Sequence, residues 1–224
     1  MNELDKTQLP YEGLSGPEIE RKSFEIIESE MGETHFSSEE LSIAMRVIHA
    51  TADFDFLKNL TFHPSSVERG KSSIKAGRAI LTDVNMVASG VNKFLCGSFG
   101  VQVITPIGSW ECSNLASERR ITRAAAAMEL GSKQGDVGIV AIGNAPTALV
   151  HALDLIFSGA LKPDLIVGVP VGFVNAEEAK EMLANQNLVP YITARGRKGG
   201  SPVAAAILNA LLKLSADNPS HDGN

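Results

Sequence analysis

The sequence predicts an α/β protein: a mainly parallel central sheet with helices on both faces, in Rossmann-like layering, preceded by two leading helices. Three observations carry this. From residue 66 onward, short apolar runs of strand length alternate with longer stretches of helical period. Several of the helical stretches open on a cap residue or a proline. Before residue 66, two stretches show helical period with no strand between them. Alternation of this kind folds as parallel strands with crossover helices on both faces.

Taken in order, residues 1–14 form a loose, partly extended lead-in. "SGPEIERKSFEIIESEMG" is the first helix, with Ser15 as cap, Pro17 in the first turn, and an apolar stripe of Ile19, Phe24, Ile26 and Ile27. "SSEELSIAMRVIHATAD" is the second, with Ser38 as N-cap and Leu41, Ala44, Met45 and Ile48 facing inward. His49 falls near its C-terminal end. "SVERGKSSIKAG" reads as a helix, "RAILTDV" as a buried strand, "NMVASGVN" as a helical turn and "VQVITPI" as a strand. "SNLASERRITRAAAAMELGS" reads as one strong helix closed by Gly131. "DVGIVAIG" is a strand, and "NAPTALVHALDLIFSG" a helix opened by Pro146. "PDLIVGVPVGF" is a strand with its loop. "NAEEAKEMLAN" is a helix on which Asn175 and Glu178 form a capping box. "LVPYITARG" is a strand, and "SPVAAAILNALLKLS" a helix with Ser201 as cap and Pro202 at its first position. A single domain is expected over 15–214, with 215–224 a disordered tail.

Composition narrows the function. The 224 residues carry a net charge of −6, against the basic face that a general nucleic-acid binder needs. A small anionic ligand needs only a local basic patch. Cys96 and Cys112 form no C-x-x-C pair, so neither a zinc site nor a disulfide framework is expected, and a cytoplasmic protein with free thiols is. The start, "MNELDKTQLPYEG", has neither the basic nor the apolar region of a signal peptide. No apolar run approaches the ~20 residues of a membrane span.

Ligands of such sheets sit beyond the carboxyl ends of the strands, which directs attention to the loops there. In "AIGNAPTAL", Gly143 and Asn144 precede a helix whose free amides suit an anion, although an ordinary turn has the same look. "GVPVGFVNAEEAK" packs two glycines and a proline into a short span, from closeness to a ligand or from a structural turn. Neither loop is a dinucleotide fingerprint or a Walker motif. In "TARGRKGGSPVAAA", Arg195, Arg197 and Lys198 crowd a glycine-rich loop ahead of a helix N-terminus, a repulsive arrangement that a polyanion relieves. Arg119 and Arg123, four apart, would share a helix face and clamp carboxylates, or pair with acidic neighbours.

Of the five histidines, His35, His63, His151 and His221 stand in surface-like or helical contexts. Neither H-x-x-x-H nor H-E-x-x-H occurs, so no protein-bound metal is expected, and no G-x-S-x-G elbow marks a serine hydrolase. By exclusion His49 is the proton-transfer candidate, imidazole being suited to acid–base work at cellular pH. Arg46, one turn earlier, shares its face, and Asp53 and Asp55 are placed to orient it or simply to face solvent. Ser23, in "RKSFEII", reads as a surface serine on pattern alone.

The segments "ERKSFEII", "RVIHA", "AILTDVNMVASGV", "TRAAAAMEL", "AIGNAPTAL", "GVPVGFV" with "EAKE", and "RGRKGGS" occur in this order. Together they resemble the precorrin-8X methylmutase family of cobalamin biosynthesis, over roughly residues 11 to 213. The resemblance implies an isomerase that moves a methyl group from C-11 to C-12 of a corrinoid ring by a 1,5-sigmatropic shift. It implies no cofactor, no metal, a homodimer with sites near the subunit interface, and handoff to neighbouring pathway enzymes. It places the catalytic histidine at His49 and substrate contacts at Ser23, Arg46 and Arg123. Asn144, Arg195, Arg197 and Arg119 extend that set, and Lys198 has no matched role. "RVIHATAD" inclines the reading toward the cobalt-bearing ring. A non-catalytic corrinoid-binding or handoff protein is the alternative, and an enzyme of another polycarboxylate or a nucleotide a third reading.

Overall fold

The structure, a computed structural model, describes residues 13–216. Most of the lead-in, the last residues of the tail and His221 lie outside the described residues. Six strands form one sheet: β1 (Leu60–Phe62), β2 (Ala79–Thr82), β3 (Val103–Ile104), β4 (Val137–Ile142), β5 (Leu165–Gly168) and β6 (Tyr191–Ala194). Their order is β1-β6-β5-β4-β2-β3, parallel throughout except that β1 runs antiparallel to β6. Chain progression reverses between β2 and β4, which makes the crevice beyond their carboxyl ends the topological switch point.

The helices are α1 (Gly16–Met31), α2 (Ser38–Thr51), α3 (Phe56–Asn59), α4 (Ser66–Lys75), α5 (Asn85–Gly90), α6 (Lys93–Ser98), α7 (Trp110–Arg119), α8 (Arg123–Gly131), α9 (Pro146–Phe157), α10 (Ala176–Asn185) and α11 (Ser201–Ala216). They divide between two cores. Ile139 and Ala141 of β4 point into the layer that holds α2, α4, α5 and α11, while Val140 and Ile142 point into the layer of α7, α8, α9 and α10. Strands β2, β4 and β5 are buried on both faces, which is why they are apolar without alternation. The mixed α/β architecture expected from the sequence is the one observed.

The differences are local. The single helix expected from residue 113 is two, because Arg120 adopts a left-handed conformation (φ 54°) and the Thr122 side chain accepts from the Ala125 amide, capping a new helix. α2 is capped by Ser37 rather than Ser38, with Glu40 completing the box. Asn175 stands at the N-cap of α10 but is left-handed (φ 59°), and its side chain caps nothing; the expected capping box is absent. Ser201 is the first residue of α11, and that helix continues to Ala216, through two residues assigned to the tail. The α1 stripe is mostly outward: Ile27 is buried, while Ile19 and Ile26 are exposed. Strand β1 and helix α3 were not anticipated, both being too short for a periodic signal.

Candidate functional site

The site begins where α1 crosses α2. His49 stands in the last turn of α2, with an exposed imidazole. Its Nδ1 is 3.0 Å from the Ser23 hydroxyl of α1. Phe24, the next residue, stacks on the imidazole with centroids 5.0 Å apart and planes 12° from parallel. Arg46, one turn earlier on α2, has its guanidinium 4.8 Å from the centroid of the same phenyl ring and donates to Glu20 at 2.6 Å. That ion pair holds the Glu20 carboxyl below the usual carboxylate range. A groove of about 340 Å³ bordered by Phe24, Ser42, Met45, Arg46, Lys213 and Leu214 opens beside this corner. Ser23, Arg46 and His49 are thus brought together around the Phe24 ring. Asp53 and Asp55 do not orient the imidazole; both accept from Lys198 instead.

The switch-point crevice is closed by a residue that pattern reading missed. Asp83, fully buried at the end of β2, accepts from the amides of Gly143 (3.1 Å), Asn144 (2.8 Å) and Ala145 (2.8 Å). Burial pushes its carboxyl up from the ordinary range and the three amides pull it back. The three loop amides that lead into α9 are therefore occupied from within. What faces outward is the Asn144 side chain, held on a fixed backbone. Gly143 is obligatory there, since a Cβ would lie 2.8 Å from Ser201 Cα.

The basic loop after β6 is anchored on several sides. The Arg195 amide donates to Asn59, the Gly172 amide to the Arg197 carbonyl, and the Gly200 amide to Val169. Lys180, buried on α10, donates to the Lys198 carbonyl at 2.7 Å. Burial lowers the Lys180 ammonium to about 8. A Cβ on Gly199 would meet the Val169 carbonyl oxygen at 2.2 Å, so only glycine passes there. Lys198 is neutralised by Asp53 and Asp55, which leaves Arg195 and Arg197 as the cations of this loop without an ion pair among the described residues. Arg197 lies 5.4 Å over the exposed Phe173 ring.

Arg119 and Arg123 do not share a helix face, because the chain breaks between them. Arg119 ends α7 and pairs with the buried Glu129 at 2.8 Å, which also takes Lys133. Arg123 opens α8 and donates to the Ile107 carbonyl at 2.6 Å. Of the two alternatives for Arg119, pairing with an acidic neighbour is realised. Asn144 and the 195–200 loop follow the carboxyl ends of β4 and β6, whereas Arg123 opens α8 directly after α7.

The model of the precorrin-8X methylmutase family matches residues 18–214. The chain belongs to this family. A cobalt-precorrin-8 methylmutase of Priestia megaterium is 42% identical over 207 residues, covering 92% of each chain. A precorrin-8X methylmutase of Pseudomonas aeruginosa is also 42% identical, over 88% of this chain and 94% of its own. The crystal structure of a precorrin-8X methylmutase from Thermus thermophilus superposes with a TM-score of 0.81 at 40% identity, covering 89% of this chain and 98% of that one. Membership makes the protein an isomerase-family member of cobalamin biosynthesis. The residues of this geometry that pattern reading missed are Phe24, Glu20, Asp83 and Lys180. Phe24 reads from the sequence as part of the apolar stripe of α1. Asp83 had a visible signal, an acid at the end of an apolar strand in "AILTDV". Lys180 had none, since a lysine between glutamates on a helix looks solvated.

Proposed function

We propose that the protein moves the methyl group of a precorrin-8 ring from C-11 to C-12, the cobalt-bearing ring being its substrate and cobyrinate its product. The single observation that carries this is the His49 corner. The imidazole is fixed at Nδ1 by Ser23 and covered on one face by Phe24, while its other edge remains open to a ligand. An imidazolium donating from Nδ1 to Ser23 Oγ keeps its Nε2 proton for the macrocycle. Placing that proton on the ring draws electron density from the C-11 region. The C-11 to methyl bond then breaks as the C-12 to methyl bond forms, the ring double bonds shift to match, and the ring gives one proton back to the His49 imidazole, so that substrate and product are isomers. No electron leaves the ring. A pericyclic step of this kind asks of the protein only placement and one proton.

The ring is broad, apolar and edged by carboxylates. Arg46, Arg123, Arg195 and Arg197 are the cations that meet those carboxylates, with Asn144 and Ser23 as polar contacts. Arg119, held by Glu129, contributes to structure first. A homodimer completes the binding surface in this reading. It is supported by the large exposed side chains Phe94, Trp110 and Phe173, each more than 70% accessible. The enzyme works in the cytoplasm and passes its product to neighbouring cobalamin-pathway enzymes. Among the described residues no helix is long and apolar enough to cross a membrane.

The test is conversion of cobalt-precorrin-8 and of the metal-free ring by the wild type and by His49→Ala. The wild type converts the cobalt ring faster. His49→Ala keeps its fold and its affinity for the product ring and loses turnover by at least about a hundredfold. A wild type that binds the ring and returns it unchanged is a carrier, the second reading. Unimpaired turnover by His49→Ala removes the imidazole from the mechanism.

A further inference from the structure

The basic loop at residues 195–200 and the end of α2 lie more than 140 positions apart in the chain, yet one side chain joins them. Lys198 Nζ is 2.7 Å from Asp53 Oδ2 and 2.6 Å from Asp55 Oδ2. The two aspartates are themselves linked, the Asp55 amide donating to Asp53 Oδ1 at 3.0 Å. They follow Ala52, whose left-handed conformation ends α2 with its amide on the Ile48 carbonyl. His49 lies three residues before that turn. On the other side of the loop, Lys180 holds the Lys198 carbonyl from α10. Lys198 is therefore gripped at both ends: its backbone by the sheet-side helix, its ammonium by the exit of the histidine helix.

We infer that Lys198 is a positioning residue, its ammonium set between Asp53 and Asp55 so that the loop bearing Arg195 and Arg197 is fastened to the helix end bearing His49. This rests on the methylmutase reading, in which the imidazole acts on a ring whose carboxylates those arginines hold. The physical need is plain. Proton transfer into a bound ring depends on the distance between the donor and the groups that seat the ring, and misplacement on the ångström scale is costly in rate. His49 and the arginines sit on different elements, so a cross-link between those elements sets the distance. One isolated exposed ion pair does little. Here one ammonium bridges two carboxylates whose segment is already fixed by a helix cap, and the loop it anchors has a fixed backbone. Neutralising Lys198 also leaves the two arginines as the loop's charges toward the ligand.

A double-mutant cycle tests this, with Lys198→Met on one side and Asp53→Asn with Asp55→Asn on the other. Lys198 is half-exposed, so its replacement leaves the core untouched. Each side alone is expected to lower kcat about tenfold with KM changed less than about threefold. The combined variant is expected to be no slower than either, and Lys198→Arg to recover most of the rate. Two patterns overturn the inference. Losses that multiply show independent roles. A raised KM in Lys198→Met with harmless aspartate changes shows that Lys198 contacts the ring carboxylates directly. A second measurement needs no substrate: exchange of the Gly172 and Gly200 amides, which hold the loop to its neighbours. It should quicken in both sets of variants, and unchanged exchange also overturns the clasp. A wild type that converts no precorrin-8 defeats the methylmutase reading while the exchange data still judge the clasp.

Discussion

Ser23 Oγ sits 3.0 Å from His49 Nδ1, and the phenyl ring of the very next residue, Phe24, lies flat against the same imidazole. Two neighbouring residues of α1 thus hold the position and the tilt of one side chain on α2. Ser23→Ala removes the hydrogen bond and keeps the stack. We expect kcat to fall about three- to tenfold, the kinetic equivalent of one ordinary hydrogen bond. Phe24→Ala frees the ring to rotate and should cost more than Ser23→Ala. Single-turnover rates with saturating precorrin-8 check the order.

Asp83 ties the end of β2 to the start of α9 through three amides. Asparagine cannot replace it, because its NH₂ would face an amide donor. Asp83→Asn is expected to destabilise the fold by about 3 kcal/mol, from buried donors left without an acceptor. In a domain of this size that lowers the midpoint of thermal unfolding by about 6–12 °C. Differential scanning calorimetry at neutral pH decides it.

Lys180 loses its proton near pH 8, against 10.5 for an ordinary lysine. Between those values the unfolded chain binds the proton and the folded chain does not, so this group's contribution to stability rises with pH across that window. The wild type is expected to gain stability relative to Lys180→Met from pH 8 to pH 10. The neutral amine still donates to the Lys198 carbonyl, so the loop stays in place. Lysine-labelled NMR should show one side chain with a midpoint of about 8 that is missing in Lys180→Met.

Arg119 and Arg123 should separate in binding. Arg119 is committed to Glu129, whereas Arg123 rests on a single backbone carbonyl at the start of α8. Arg123→Ala is expected to weaken affinity for cobyrinate about tenfold, in line with loss of one charged contact. Arg119→Ala should leave that affinity within about twofold and lower thermal stability instead. Spectral titration of the product ring and a melting curve on each variant make the comparison.

Gly199→Ala drives a methyl group into the carbonyl of Val169. The loop must move, so we expect a folded protein with KM raised several-fold. An unchanged KM would show that the ring does not depend on the placement of Arg195 and Arg197.

The sequence declared its layered architecture because β2, β4 and β5 are buried on both faces and their helices carry recognisable starts. Elements of two to four residues, such as β1 and α3, are held by tertiary pairing and carry no period of their own. The break at Arg120 was hidden for a different reason: the alanine run beyond it favours helix so strongly that the competing hydroxyl of Thr122 was overlooked. At the site, Ser23, Arg46 and His49 were visible through motif order. Their meeting depends on how α1 crosses α2, which no local spacing encodes. Lys198 stood in full view as a loop cation, but its partners lie on a segment far away in the chain.

The carboxylate of Asp83 also has a bearing on what the crevice backbone can offer a ligand. Related architectures use the first amides of a helix at this crevice to seize phosphate groups. Here the three loop amides that lead into α9 already grip an internal acid, so this stretch of backbone offers no donors to a phosphate. One buried side chain thereby turns a backbone turn of the kind that elsewhere holds an anion into part of the fold itself.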